Sequence, residues 1–231
     1  MAKTKAMQTE NNEITIPDDY QMNFETDDVK VPQILLWQKM SDMPEFEDSG
    51  VKAGEFVNPV TGEILGTNFE CAVIRCFITA RKYGEKDPQT GRKTIDKYSR
   101  DGIHWDDSGK RIHPQEYKYN DKGDYAMKAY HYVVLPKGSI MPCVIVFRGA
   151  SAKHAKGLNA NLMYIKPSWR TWFKISSSIE ESNSNKYYVM KAQPQPKKSL
   201  SSEEAEMCHG FFTSSDLQSS NNVVDEDPVY E

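Results

Sequence analysis

The stretch FECAVIRCFITARKY, residues 69–83, decides the fold class of this chain. Its even positions from 72 to 80 are all apolar, whereas its odd positions from 73 to 83 mix cations with aromatic rings. Alternation of this kind is typical of a β-strand that turns one face towards a core. The run of 15 residues is long for a strand, so we expect it to curve or to contain a bulge.

The rest of the chain supplies further strands and a helix in a definite order. After a polar excursion at 84–127 come β-like runs at 128–135 and 142–148, a capped helix at about 151–165, and β-like runs at 169–178 and 186–193. This is the order of an OB-fold, a five-stranded barrel with a helix between its third and fourth strands. The sequence therefore predicts a mainly β, OB-fold-like barrel, although an SH3-like barrel or an α+β sandwich has similar ingredients.

The charge of the chain is unevenly distributed. The net charge of -4 hides a middle, residues 31–214, that is +5 between two acidic ends. Within it, residues 148–198 carry ten Lys or Arg against two acids. A basic middle favours a polyanionic partner.

Composition and pattern together predict four parts of the chain. These are a flexible N-terminal arm at 1–30, an OB-fold-like DNA-binding domain at 31–200 that includes the excursion at 84–127, a short helix at 201–213, and a disordered acidic tail at 214–231.

A protein that binds single strands needs cations along the phosphates and exposed rings that stack on bases. The alternation places both kinds of side chain on one face of each predicted strand. The phosphate candidates are Arg75, Arg81, Lys153, Lys156, Lys166, Arg170 and Lys174. The stacking candidates are Phe77, Tyr83, Trp105, Trp172 and Tyr188. The alternative is that the rings belong to the core and the cations are merely solvated.

Two of these cations stand where a helix disfavours them. Lys153 and Lys156 lie in the first turns of the predicted helix, beside the positive end of its dipole. A phosphate bound at that helix end would explain them. Two solvated lysines would explain them equally well.

The C-terminal tail combines acids with an apolar end. In NNVVDEDPVYE, residues 221–231, Asp225, Glu226 and Asp227 precede Val229 and Tyr230. On a flexible tether this pattern suits docking into a hydrophobic pocket with a basic rim. It also predicts competition with DNA for the basic surface of the protein. The alternative is a tail that only increases solubility.

Three stretches resemble bacteriophage-encoded single-stranded DNA-binding proteins of the OB-fold class: FRGASAKHAKGLNANL (147–162), FKISSSIEESNSNKYYVMKA (173–192) and the tail DEDPVYE. The resemblance implies cooperative coverage of single strands during replication or recombination, in the cytoplasm of a bacterial host. It also implies that the tail recruits replication or recombination proteins. The tail ends in Tyr230-Glu231 instead of an apolar residue carrying the terminal carboxylate, so phage-encoded partners are favoured over host ones.

The segment DGIHWDDSGKRIHP, residues 101–114, is the main argument for an enzyme. Its His104, Asp106, Asp107 and His113 lie close together in the sequence but lack the paired ligand spacing of a zinc site. Cys71 and Cys76 are expected to point to opposite faces of their strand, so they do not form half of such a site. No phosphate-cradling glycine loop, nucleophile elbow or HExxH motif is present in the sequence.

We therefore expect no catalysis, no metal and no cofactor. The alternatives are a nuclease-like or nucleotide-processing enzyme that uses the 101–114 loop, and a phage inhibitor of a host protein. The N-terminus has no apolar signal region and no stretch is apolar enough to span a bilayer, so a cytoplasmic protein without membrane contact is expected. Four irregularly spaced cysteines are read as reduced thiols, mostly buried. Self-association is possible.

Overall fold

The computed structural model describes residues 32–39, 41, 43, 46, 49–86, 88, 93–99, 104–105, 111–112, 126–182 and 185–213. Of residues 80–86, 93–99, 104–105, 111–112, 126–127 and 182 it describes the backbone alone. The predicted N-terminal arm and acidic tail lie outside these residues.

The described chain is mainly β. Its strands are β1 (Gln33–Leu36), β2 (Phe56–Asn58), β3 (Glu63–Gly66), β4 (Asn68–Lys86), β5 (Lys93–Ser99), β6 (His104–Trp105), β7 (Arg111–Ile112), β8 (Ala126–Pro136), β9 (Cys143–Phe147), β10 (Trp172–Ser182) and β11 (Asn185–Gln195). Its helices are α1 (Ala152–Tyr164), between β9 and β10, and α2 (Ser202–Thr213). The predicted mainly β class is confirmed, with its helix where the sequence placed it.

The predicted number of strands is wrong. One sheet has nine strands in the order β11-β10-β4-β8-β9-β1-β2-β3, with β5 paired to the far part of β4, and it curls into a half-barrel. Among the strands that the structure describes, only β1 and β9 pair in parallel. The turn formers Asn58-Pro59 and Thr61-Gly62 predict a small hairpin at 54–66, which β2 and β3 form. The count of five leaves out this hairpin, the short β1, and the part of the excursion, a long loop or hairpin by its pattern, that forms β5. In fact β4 continues into the excursion and β5 pairs with it, while β6 and β7 form a separate two-stranded sheet.

A bulge in β4 sets the two faces of the sheet. Val73 pairs with Val134 and Arg75 with Val133, so Ile74 is an extra residue. Beyond it the alternation shifts by one position. The predicted bulge is confirmed, but the prediction that all even positions share one face is wrong.

Both faces of the sheet are covered. On the first face, Cys71, Val73 and Phe173 pack in a core with Ala155 and Leu158 of α1. On the second face, the core that includes Cys208 of α2 is smaller; its buried sheet residues are Ala72, Ile74, Ala129, Val133, Leu135, Val144, Val146 and Trp172. Because both faces of the sheet are covered, its strands have few positions where a ring could be exposed.

The four cysteines are free thiols. Cys71, Cys143 and Cys208 are buried, as expected, and Cys76 is exposed. Burial raises the pKa of Cys143 and of Cys208 to about 11, so both stay protonated at neutral pH. The expectation that Cys71 and Cys76 point to opposite faces is wrong. The Cys76 thiol lies 3.8 Å from the Asn159 side-chain oxygen of α1, on the same face as Cys71.

The edge strand β11 is held by side chains from elsewhere. The Gln38 side-chain amide donates to the Tyr188 carbonyl at 3.0 Å, and the Tyr188 N–H donates to the Gln38 side-chain oxygen at 3.0 Å. The Met190 N–H donates to the Ser151 hydroxyl at 3.0 Å. Because β10, β4, β8 and β9 separate β11 from β1 in the sheet, the Gln38 contact joins two distant strands of the curled sheet. These bonds satisfy backbone groups that an edge strand otherwise leaves open.

We expect Gln38→Ala to lower the free energy of unfolding by about 1–2 kcal/mol, because two backbone groups of Tyr188 lose their partner. Denaturant unfolding followed by circular dichroism measures the change. The control is Gln193→Ala on the exposed side of the same strand, which should stay within about 0.5 kcal/mol of the parent protein. Equal effects of the two substitutions would show that Gln38 does not hold the edge.

Candidate functional site

Two lysines contact one carboxylate on the second face of the sheet, and two more lie on the same face of the neighbouring strands β10 and β11. Lys137 and Lys198 contact the two Glu70 carboxylate oxygens through their Nζ atoms, at 3.1 and 2.5 Å. Lys174 is the cross-strand neighbour of Glu70, and Lys191 pairs with Ser176, two residues further along β10. We call Lys137, Lys174, Lys191 and Lys198, together with Glu70, the lysine cluster.

The cluster lies on one face because of strand alternation. Phe173 and Ile175 point into the first-face core, so Lys174 between them points the other way, as does Trp172. The Lys137 ammonium lies 5.6 Å from the centre of the Trp172 ring, which joins the cluster to the second-face core. Lys174 is exposed, and Lys137 and Lys198 are half exposed. The cluster is therefore an open cationic surface.

Glu70 is strongly bound to its lysines. Hydrogen bonds, first from Lys198 and then from Lys137, lower the pKa of Glu70 from 4.5 to about 2. The carboxylate is thus ionised throughout the physiological range. It neutralises one of the four positive charges and holds two of the ammonium groups close together.

Arg75 and Phe77 make contacts within the protein. The Arg75 guanidinium donates to the Phe212 carbonyl near the end of α2 and lies 4.7 Å from the centre of the Phe212 ring. A cation at the end of a helix is favourable because carbonyl groups there lack partners. Phe77 stacks on His131, with ring centres 4.8 Å apart and planes 7° apart. Arg75 therefore anchors α2, and Phe77 is half-buried beside the second-face core.

The prediction that Trp172 is an exposed stacking ring is corrected. Trp172 is 2% exposed and belongs to the second-face core. The alternation of β10 is as expected, with Phe173 on the opposite face. However, the second face is covered as well, so the ring is enclosed and has no open side for a base.

A carboxylate of the protein itself accounts for Lys153 of α1 without a phosphate. The Lys153 ammonium contacts one carboxylate oxygen of Glu180, on β10, at 2.5 Å. The other Glu180 oxygen lies 3.1 Å from the His154 Nε2 atom. The bond from Lys153, with support from His154, lowers the pKa of Glu180. The anion expected at this helix end is therefore a carboxylate of the protein itself. Lys156 is exposed.

The remaining described candidates are two exposed cations and one half-buried ring. Lys166 and Arg170 are exposed in the segment between α1 and β10. The Tyr188 ring is half-buried against Gly54, whose φ of +94° a larger residue rarely adopts and whose missing Cβ makes room for the ring. Tyr188 therefore packs the loop before β2 against β11.

Several predicted residues lie outside the description of side chains. Arg81 and Tyr83 are placed by the backbone of β4, and Trp105 by that of β6, without their side chains. The tail residues Asp225, Glu226, Asp227, Val229 and Tyr230 lie outside the described residues. So does most of the 101–114 loop, apart from the backbone of β6 and β7.

Sequence reasoning found Lys174 but missed the other members of the lysine cluster. Lys137 comes from the turn after β8, Lys191 from β11, and Lys198 from the segment after β11. Only strand pairing brings them to Glu70. A signal was available in the high positive charge of residues 148–198, but it does not tell which face carries that charge.

A family model described as "Pam3 phage gp34-like protein" matches residues 9–215, most of the chain. The chain belongs to this family. The match suggests a bacteriophage origin, in line with the source implied by the resemblance of the three stretches above. No curated protein and no solved structure matches the chain.

Among the described residues of this gp34-like protein, no helix is long and apolar enough to cross a membrane.

Replacing the buried ring tests its place in the core. We expect Trp172→Ala to lower the free energy of unfolding by about 3–5 kcal/mol, since it removes a large buried side chain. Lys174→Ala, two positions along the same face of the strand but exposed, should cost about 0.5 kcal/mol or less. Thermal or denaturant unfolding measures both. A Trp172→Ala protein as stable as the parent would show that the ring is not part of the core.

Glu70 should make stability depend on acid pH. Its pKa is lower in the folded protein than in the unfolded chain, so its contribution is present above about pH 4.5 and is lost as the pH falls towards 2. We expect Glu70→Gln to lose this acid-pH dependence of the free energy of unfolding. The difference in that free energy between the parent and the variant should therefore become smaller as the pH falls from about 4.5 towards 2. The control is Glu181→Gln, an exposed residue of β10. A constant difference for Glu70→Gln would contradict the assignment.

Proposed function

We propose that this gp34-like protein binds single-stranded DNA without sequence preference, through the lysine cluster, as a coating protein in phage replication or recombination. The observation that carries the proposal is the placement of four lysines from four separate parts of the chain on the second face of the sheet, two of them in contact with Glu70 and all of them at least partly exposed. Like charges brought together in this way repel one another, and a polyanion relieves that repulsion.

The order of elements supports an OB-type architecture for this function. Taken in chain order, β4, β8, β9, α1, β10 and β11 follow the strand, strand, strand, helix, strand, strand order of the OB-fold. In the sheet, β4 lies between β10 and β8, and β11 lies next to β10. We infer that β1, β2, β3 and β5 are additions to this five-stranded unit.

Glu70 gives the proposed surface a means of releasing its ligand. In the free protein its carboxylate occupies Lys137 and Lys198. A phosphate that approaches the cluster has to compete with this internal anion. Binding should therefore be weaker and more readily reversed than four free lysines would give. A protein that coats a strand and is later displaced by enzymes needs such a balance.

The acidic tail is proposed to recruit partner proteins of replication or recombination. Its acids and its apolar end are the features that favour this role. The proposal involves no catalytic step.

The test is a fluorescence anisotropy titration of an oligothymidylate and of a duplex of the same length, at several salt concentrations. If about four phosphates are neutralised, log affinity against log salt should have a slope of roughly -3 on the single strand. We expect Glu70→Gln to bind more tightly with a steeper slope. The double variant Lys174→Gln/Lys191→Gln should bind more weakly, with a slope shallower by about 1.4.

The opposite directions of the two variants control for structural damage, because a damaged fold would weaken both. Unchanged affinity in both variants would show that the lysine cluster is not the binding surface. Equal affinity for the duplex would remove the preference for single strands. Magnesium-dependent shortening of the DNA would support a nuclease instead, and protein binding without DNA binding would support an inhibitor of a host protein.

A further inference from the structure

Tyr164 is the most exposed aromatic ring among the side chains that the structure describes. It is 88% exposed at the last position of α1. Burying such a ring ordinarily stabilises a protein, so a ring left in water gains most from an external partner. The three described rings among the predicted stacking residues make contacts within the protein. Phe77 stacks on His131, Trp172 is buried and Tyr188 packs on Gly54.

The chain that follows Tyr164 is firmly anchored. The Ile165 N–H donates to the Asn161 carbonyl at 3.0 Å, which closes the end of the helix. The Ser168 hydroxyl donates to the Ile74 carbonyl at 3.2 Å. The Trp169 ring packs against Phe212 of α2, with ring centres 5.1 Å apart. The Tyr164 ring is thus exposed on backbone that is fixed on both sides.

Two exposed cations lie in the chain segment that joins the ring to β10. Lys166 and Arg170 are both exposed in the segment that joins α1 to β10. Where that segment ends, the Thr171 hydroxyl donates to the Lys198 carbonyl at 3.1 Å and the Trp172 N–H to the same carbonyl at 3.3 Å. The segment therefore begins at an exposed ring and ends against Lys198 of the cluster.

We propose that Tyr164 is a base-stacking residue, and that Lys166 and Arg170 guide the phosphates of a single strand from the lysine cluster to it. This rests on the proposed function and deepens it, because it adds a contact to the base where the cluster contacts only the backbone. Stacking on an aromatic ring tolerates any base, since every base has a flat face. The ligand class is an unpaired nucleobase next to a phosphodiester.

The experiment compares an oligothymidylate with an abasic oligonucleotide of the same length. The parent protein should bind the base-bearing strand more tightly. We expect Tyr164→Ala to weaken binding of the base-bearing strand about 10-fold or more, with the salt slope and the abasic affinity unchanged. Tyr164→Trp should retain the preference for bases. Because the ring is exposed, neither substitution disturbs the core.

The matched control is Met163→Ala, its neighbour at the end of α1, which is 71% exposed and has no ring. This variant should bind both strands as the parent does. Tyr164→Ala with full affinity for the base-bearing strand, or an equal loss on the abasic strand, would overturn the stacking role while leaving the cluster intact. A parent protein that binds neither strand would overturn the proposed function itself.

Discussion

The structure depends on burying both faces of β4. This strand lies between β10 and β8 and carries core residues on either side, so neither face can be left in water. Helix α1 covers the first face and α2 covers the second. The bulge at Ile74 lets one strand supply both cores, because Ile74 and Arg75 lie on the second face in succession while Cys76 returns to the first. Arg75 then holds α2 in place through the Phe212 carbonyl.

This burial decides where charge and exposed rings can lie. Positions in the middle of the sheet are covered, so Lys174 of β10 and Lys191 of β11 are exposed or half-exposed outside the second-face core. On the same face, Lys137 and Lys198 contact Glu70, the cross-strand neighbour of Lys174. Because both faces of the sheet are covered, Trp172 is buried in the core. The exposed ring of Tyr164 lies instead at the end of a helix. The proposed binding surface is thus a consequence of the fold, since it uses the area that the two helices leave uncovered.

The sequence predicted the local elements well and their tertiary surroundings poorly. Alternation identified the long strand at 69–83, and the predicted helix at about 151–165 matches α1 to within a residue or two. The predicted cap is wrong, because the Ser151 hydroxyl makes no capping hydrogen bond and instead accepts from the Met190 N–H. A period-2 pattern cannot tell a face in water from a face beneath a second helix, and for this reason Trp172 was assigned to the surface. Lys153 was assigned to a phosphate because its partner, Glu180, lies 27 residues away. The lysine cluster could not be predicted, because it depends on which strands pair.

The most direct measurement is lysine footprinting, in which reductive methylation is mapped by mass spectrometry with and without an oligothymidylate. We expect Lys137, Lys174, Lys191 and Lys198 to become protected together when the strand binds. Lys52, an exposed residue before β2, should react equally in both states. Protection elsewhere on the protein, with these four lysines unchanged in the bound state, would contradict the account.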